Sequence, residues 1–187
     1  GQELYGLFEA RSAIAQHQHA LIVEGYMDVV ALAQAGLANA VATLGTATST
    51  AHVQKLFRFT DTIVFSFDGD AAGRKAAWRA MINALPLATD TRTIKFLFLP
   101  PEHDPDTFVR EKGMDAFAAE VQTAMTLSQF LLFGLNQAAP DGSAEARARQ
   151  LHLAKPMLQA LPNGALRTHI IQALAAQLNS TPSDVAE

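Results

Sequence analysis

The stretch DTIVFSFDGDAAGR, residues 61–74, contains an apolar run that stops at two carboxylates on either side of a glycine. Residues 63–67 are few and rich in β-branched and aromatic side chains, which predicts a buried strand rather than a helix. Residues 71–80 have a helical pattern, so a helix N-terminus should point back at Asp68 and Asp70. Ligands bind at such a strand end in α/β sheets. Turn formation and helix capping by the two aspartates would explain the same residues.

Strands and helices alternate along the first two thirds of the chain. The sequence predicts strands over 19–23, 39–44, 63–67 and 93–99, and helices over 7–17, 26–35, 50–59, 71–80 and 106–112. Alternation of this kind predicts an α/β fold with a mostly parallel sheet flanked by helices. After residue 113 the pattern is helical only, over 114–123, 126–138, 143–161 and 164–179. A small helical bundle should therefore follow the sheet.

These patterns divide the chain into three predicted parts. A leading helix occupies residues 1–18, an α/β domain residues 19–115 and a helical subdomain residues 116–187. The chain begins without a methionine, and residues 181–185 resemble the start of a further helix with a cap and a proline. We therefore expect the chain to be excised from a longer protein.

Composition excludes some classes of protein and leaves others open. Of the 187 residues, 49% are hydrophobic, which is enough to bury a core. The net charge of −4 neither favours nor excludes a nucleic-acid partner. The absence of cysteine excludes disulfides, a thiol nucleophile and a zinc finger, and fits a reducing cytoplasm. The apolar runs are far shorter than the roughly 20 residues that span a bilayer, so no membrane partner is expected.

Carboxylates follow three of the predicted strands. They are Glu24 after the first strand, Asp68 and Asp70 after the third, and Asp104 and Asp106 after the fourth. A parallel sheet would bring all of them to one edge, and Asp28 lies one helical turn beyond Glu24. Two such charges about 4 Å apart repel by about 4 kcal/mol at an effective dielectric of about 20, so the cluster should bind a cation, be protonated or spread apart.

The donor set favours a hard cation. Oxygen ligands without cysteine or paired histidine are typical of magnesium or manganese rather than zinc. Magnesium usually keeps water and binds substrate phosphates, so phosphoryl transfer or phosphodiester cleavage is the expected chemistry. No GxSxG elbow, GxxxxGK[ST] phosphate loop or GxGxxG fingerprint is present.

Four segments carry a family resemblance. VEGYMDVVALAQAG (23–36), ATLGTATSTAHVQKLFR (42–58), VFSFDGDAAGRKAAWRA (64–80) and LPPEHDPDTFV (99–109) together resemble the Toprim region of the bacterial DnaG-type DNA primases. The resemblance extends over residues 4–113. The helical remainder is similar to the C-terminal subdomain of the polymerase core in that family.

The resemblance implies that the chain takes part in the synthesis of RNA primers from ribonucleoside triphosphates on a single-stranded DNA template, forming an RNA–DNA hybrid in the bacterial cytoplasm at the replisome. It implies catalytic roles for Glu24, Asp68 and Asp70, a Mg²⁺ or Mn²⁺ site and no zinc site. The implied metal ligands are Glu24, Asp68, Asp70, Asp104 and Asp106, and the implied nucleotide-binding residues are Asp28, Arg74 and His103.

The chain also differs from the family pattern. A glycine and a basic residue usually precede the DPD motif, whereas Glu102 and His103 stand there in this chain. The family binds its replicative helicase through a region that we expect to be absent here, and its basic template-binding surface lies largely outside Toprim. The isolated chain should therefore make little or no primer.

Three alternatives use the same residues. Toprim topoisomerases and nucleases share the acidic pattern, and a phosphatase would use Asp68 as a nucleophile. A non-catalytic Toprim interaction module would need the carboxylates only for folding and partner contacts.

Overall fold

The computed structural model describes residues 1–187. Its strands are β1 (Leu4–Tyr5), β2 (Ala20–Val23), β3 (Ala40–Thr43), β4 (Thr62–Phe67), β5 (Thr93–Phe98) and β6 (Met125–Thr126). Its α-helices are α1 (Leu7–His17), α2 (Tyr26–Gln34), α3 (Thr50–Leu56), α4 (Ala71–Ala84), α5 (Pro105–Lys112), α6 (Met114–Gln122), α7 (Leu127–Ala138), α8 (Ala144–Ala160), α9 (Ala165–Gln177) and α10 (Pro182–Ala186). A 3-10 turn at Leu85–Leu87 follows α4.

All six strands form one sheet in the order β1-β3-β2-β4-β5-β6. The four central strands are parallel, with Ile22 of β2 beside Phe65 of β4 and Phe67 of β4 beside Phe98 of β5. This arrangement confirms the predicted α/β fold with a mostly parallel sheet and a helical part after it. The parallel register also aligns the carboxyl ends of β2, β4 and β5.

The two outer strands were not predicted. β1 and β6 pair antiparallel with β3 and β5, and each has only two residues. Two residues are too short to show a period-2 pattern, so sequence periodicity cannot detect them. The predicted helix over 50–59 also ends early, at Leu56.

Helices cover both faces of the sheet. One core contains α1, α3, α4 and α7 to α10 packed on residues such as Phe65 and Phe96. The other contains α2, α5 and α6, where the rings of Phe108 and Phe117 meet edge to face at 6.0 Å. Parallel strands buried on both faces account for the continuous apolar runs that define them in the sequence.

The helical part and the sheet share a core. The Phe130 ring on α7 lies 4.8 Å from the Phe96 ring and 5.5 Å from the Trp78 ring. A Cβ at Gly134 would overlap the Trp78 ring, so the glycine permits this close approach. The carboxylate of Asp90 accepts hydrogen bonds from two backbone N–H groups at the start of α9. The division near residue 115 stays a prediction, and β6 lies beyond it while belonging to the sheet.

None of the helices is both long enough and apolar enough to cross a bilayer.

A buried glutamine connects three helices of the C-terminal part. Gln150 on α8 is 3% exposed and donates to the Ala139 carbonyl at 2.8 Å. Its side-chain oxygen accepts from Gln177 of α9 at 3.0 Å, and Gln177 also donates to the Leu132 carbonyl of α7 at 3.1 Å. The network satisfies polar groups that would otherwise be buried without partners.

We predict that Gln150→Ala lowers the free energy of unfolding by about 2 to 3 kcal/mol, because it leaves the Ala139 carbonyl without a donor and opens a cavity. Urea denaturation of the chain measures this. Gln159→Ala, an exposed substitution on the same helix, is the control and should change the value by less than about 0.5 kcal/mol. Equal effects of the two substitutions would show that the network contributes nothing specific.

Candidate metal centre at the carboxyl edge of the sheet

Three neighbouring strands deliver acidic side chains to one edge. Glu24 directly follows β2, Asp68 directly follows β4, and Asp104 lies in the loop after β5. β4 lies between β2 and β5 in the sheet, so the three strand ends are adjacent. α2, α4 and α5 begin at the same edge, which places the positive ends of three helix dipoles there.

Two glycines allow the loop after β4 to pack tightly. A Cβ on Gly69 would overlap the Leu99 carbonyl oxygen, and a Cβ on Gly73 would overlap the Asp68 carbonyl oxygen. A larger residue at Gly69 would push the loop away from the chain that leaves β5, and one at Gly73 would push the start of α4 away from Asp68. The glycines therefore fix the placement of Asp68 and Asp70.

Two of the aspartates cap helices. Asp70 Oδ1 accepts a hydrogen bond from the Gly73 N–H at 2.7 Å, and Asp104 Oδ1 accepts one from the Thr107 N–H at 2.8 Å. The capping interpretation is therefore correct for Asp70, and the structure shows that Asp104 caps α5 in the same way. It does not account for Glu24 or Asp68, which cap no helix.

The carboxyl groups of Glu24 and Asp68 perturb each other. Burial, followed by the charge of Asp68, raises the pKa of Glu24, and the Asp68 backbone N–H offsets part of this rise. Burial, followed by the charges of Asp70 and Asp104, raises the pKa of Asp68. Glu24 itself lowers the pKa of Asp68 through a side-chain hydrogen bond. Effects of these kinds require the carboxyl groups to lie close together. The predicted gathering of acidic residues at one edge is therefore present in the structure.

Asp28 belongs to the same group. Burial is the main cause that raises the pKa of Asp28 to about 6, and the charges of Asp104 and Asp68 add to it. The Asp106 backbone N–H donates to Asp28 Oδ1 at 3.3 Å, which opposes the rise and connects α2 to α5.

The donor set fits a hard cation. No lysine or arginine nitrogen lies within 4.0 Å of the carboxylates of Glu24, Asp68 or Asp70. Their repulsion is thus uncompensated by side chains of the chain, and a divalent cation would relieve it. No three acidic or histidine side chains are arranged to hold one ion together. A bound Mg²⁺ would therefore complete its coordination with water and substrate oxygens, as is usual for this ion.

Two of the predicted site residues have partners within the chain. Arg110 Nε lies 2.7 Å from Asp106 Oδ1, an ion pair without hydrogen-bond geometry, so this carboxylate already has a cation beside it. The two ring nitrogens of His103, a buried residue, face Thr107 Oγ1 at 3.1 Å and Glu111 Oε2 at 3.3 Å. This leaves His103 no free nitrogen for a nucleotide.

Arg74 is exposed at the start of α4, with its guanidinium 4.7 Å from the centre of the Phe98 ring. This contact holds the cation beside the carboxyl end of β5.

A cavity of about 290 Å³ is lined by Glu24, and the sequence analysis assigned no role to the other residues of its lining. Arg79 of α4 and the loop 45–48 line it. The signal was present in the quoted segments 42–58 and 64–80, but isolated charges on a helix are typical of solvated surface.

Comparisons with known proteins agree with this geometry. Residues 21–109 match the family model described as Toprim-like. Residues 135–183 match the model described as the DnaB-helicase binding domain of primase.

A DNA primase of Escherichia coli (strain K12) is 48% identical over 178 residues, which cover 95% of this chain and 31% of the relative. The chain belongs to the bacterial DnaG-type DNA primases. A solved structure of the DnaG catalytic core superposes with a TM-score of 0.93 at 46% identity, covering 98% of this chain and 60% of that one. A solved structure of a DnaG primase catalytic domain bound to single-stranded DNA superposes with a TM-score of 0.88 at 47% identity, covering 94% of this chain and 57% of that one.

The chain spans about a third of the length of the curated DNA primase it matches. The match over 135–183 also corrects one expectation, because the helicase-binding region was expected to be absent from this chain. The four C-terminal helices carry no charged or polar motif by which inspection could have recognised it.

The raised pKa of Asp28 predicts a pH-dependent stability. The folded state binds the Asp28 proton more tightly than the unfolded state, so stability falls as pH rises from about 4 through 6. We expect Asp28→Asn to raise the free energy of unfolding at pH 7.5 by about 1 to 2 kcal/mol after allowance for solvent screening, as measured by urea denaturation. At pH 4.5 the variant and the unmodified chain should differ little in this free energy.

Asp61→Asn, an exposed substitution just before β4, is the control and should leave this pH dependence unchanged. If Asp28→Asn shows the same loss of stability with pH as the unmodified chain, Asp28 does not carry the repulsion of the cluster.

Proposed function

We propose that this chain supplies the metal-binding part of a primase active site, which joins ribonucleoside triphosphates into short RNA primers on single-stranded DNA. The observation that carries the proposal is the placement of Glu24, Asp68 and Asp104 at the adjacent carboxyl ends of β2, β4 and β5. No lysine or arginine nitrogen lies within 4.0 Å of the Glu24 or Asp68 carboxylate. Membership of the primase family supports the same conclusion. Glu24, Asp68 and Asp70 are the proposed catalytic and metal-binding residues, with Asp104 beside them, and Mg²⁺ or Mn²⁺ is the proposed cofactor.

When bound, a divalent cation would neutralise negative charge on the phosphates and favour attack by a 3′-hydroxyl group. The residues of the chain prepare the site for this chemistry. Glu24 and Asp68 provide oxygens whose desolvation makes binding of a cation favourable. Asp70 and Asp104 are each held by a capping hydrogen bond, which leaves their other oxygens free to face the site.

We infer that template binding depends on parts of the relatives that this chain does not match. The chain matches only 31% of the length of the E. coli relative, and its net charge of −4 does not add an overall attraction to a DNA backbone. The neighbour with single-stranded DNA supports this strand as the substrate. We propose that the isolated chain makes little or no primer, and that the full enzyme works in the bacterial cytoplasm at the replisome on an RNA–DNA hybrid.

The alternatives are less well supported. A phosphatase with Asp68 as its nucleophile would bring an anionic phosphate against Glu24, Asp70 and Asp104, whose charges repel it. The Toprim nucleases, topoisomerases and interaction modules share the acidic edge, but the match over 135–183 is to a primase model.

The proposal is tested in a chimeric primase in which this chain replaces the 178 matching residues of the E. coli relative. We expect primer synthesis by the chimera, and a loss of at least about a hundredfold in the Asp68→Asn/Asp70→Asn double variant, because charge stabilisation at the phosphates is lost. Titration of the isolated chain with Mn²⁺, followed by water-proton relaxation, should show saturable binding that the double variant lacks.

The matched control is Asp61→Asn/Asp115→Asn, which removes two exposed aspartates outside the site and keeps the same net charge as the test variant. It should retain synthesis and Mn²⁺ binding. An active chimera that keeps full synthesis in the Asp68→Asn/Asp70→Asn variant would refute the proposal and favour an interaction module.

We further propose that residues 135–183 contact a replicative helicase of the DnaB type, supported by the family match. Leu153 on α8 is an apolar side chain in this region that is 39% exposed. We expect Leu153→Asp to weaken co-sedimentation of the chain with such a helicase. Leu44→Asp, an exposed apolar position outside the matched region, should not. If both variants bind like the unmodified chain, this face of α8 is not the contact.

A further inference from the structure

The cavity beside Glu24 differs in chemistry from the acidic cluster. Glu24 is the one acidic residue that lines it, and none of the site aspartates does. Arg79 is its one cationic residue, and the loop 45–48 forms the wall that follows β3. Glu24 therefore belongs both to the acidic cluster, which attracts cations, and to the lining of a cavity that also contains Arg79.

The wall of the cavity is rich in unused hydrogen-bond donors. The backbone N–H groups of residues 45–48 donate to no acceptor in the chain. The hydroxyl groups of Thr46 and Thr48 have no hydrogen-bond partner in the chain either, and Thr48 is a buried residue. Arg79 forms no ion pair and no hydrogen bond. Donors in this number without acceptors are suited to an anion with several oxygens.

Side chains of neighbouring elements hold the loop 45–48 in place by hydrogen bonds to its carbonyl groups. The Thr43 hydroxyl donates to the Thr46 carbonyl at 2.7 Å, and the Asn83 amide donates to the Thr48 carbonyl at 2.9 Å. The Thr50 hydroxyl donates to the Asn83 carbonyl at 2.6 Å. The carbonyl oxygens of Thr46 and Thr48 are thus engaged with the protein, which keeps these acceptors from opposing an anion.

Size decides which part of a ligand fits. A volume of about 290 Å³ is at the lower limit of small-molecule sites, which have about 300 to 1,000 Å³. The cavity therefore suits a phosphate tail better than a complete nucleotide. A strand of nucleic acid would need a continuous groove with stacking side chains, whereas no aromatic residue except the buried Phe67 lines this cavity.

We propose that this cavity binds the triphosphate of the incoming ribonucleotide, with Arg79, the amides of the loop 45–48 and the hydroxyls of Thr46 and Thr48 as its donors. The inference rests on the proposed function, because Glu24 lines the cavity and is also a proposed metal-binding residue, which would place the phosphate tail beside the cation. Arg79 is assigned to substrate binding, a role that its position on an exposed helix face does not reveal.

The test uses the ¹⁵N-labelled chain and inorganic triphosphate as its magnesium salt. We expect saturable shifts of the amide resonances of residues 45–48. Arg79→Gln should weaken the apparent affinity about tenfold, because it removes a charged donor. Lys75→Gln removes an exposed cation from the same helix that does not line the cavity, and it should stay within about twofold of the unmodified chain.

Arg79→Lys is a second variant that keeps the charge and should bind with an intermediate affinity. Equal binding by Arg79→Gln and the unmodified chain, an absence of saturable shifts, or shifts that map to other residues would each overturn the inference. A single-stranded oligonucleotide that shifts the same amides at lower concentration than triphosphate would assign the cavity to the strand and would also overturn it.

The chimera separates this inference from the proposed function. If Asp68→Asn/Asp70→Asn abolishes primer synthesis while Arg79→Gln leaves KM for ribonucleotides unchanged, the inference is wrong and the proposed function stands. If the aspartate variant retains synthesis, the proposed function fails, whatever the amide shifts show.

Discussion

The repulsion among carboxylates at one edge of the sheet is the constraint on which the rest of the site depends. Three parallel strands place Glu24, Asp68 and Asp104 at adjacent ends, and burial raises the pKa of the first two. Such an arrangement is costly in folding terms, since like charges in a half-buried site oppose the compact state. The surrounding structure offsets this cost with two large apolar cores, one on each face of the sheet.

Much of the fold could be predicted from the sequence because its elements are strongly patterned. The four central strands are apolar runs of four to six residues, and each is followed by a helix with a recognisable start. The outer strands could not be predicted, since two residues have no period. These strands form only because β3 and β5 offer them free edges in the folded sheet, which is a tertiary effect.

The site was predictable at the level of strand ends but not of individual side chains. Topology alone places Glu24 and Asp68 together, whereas the neighbours of His103 depend on the turn of α5 that brings Thr107 and Glu111 against its ring. The pairing of Asp106 with Arg110 is an i to i+4 contact that the sequence permits without requiring. Arg79 was not predicted, because it lines the cavity together with the loop 45–48, which is distant from it in the sequence.

The close packing of α7 on the sheet has a consequence for any attempt to isolate the Toprim part. A piece ending near residue 115 would lose β6, which leaves the open edge of β5 available to pair with another molecule. It would also uncover Trp78 and Phe96, which Phe130 now covers. An unpaired edge beside an apolar face is the combination that promotes aggregation. β6 and α7 thus cover an edge and a face of the sheet that would otherwise be open to contact with another molecule.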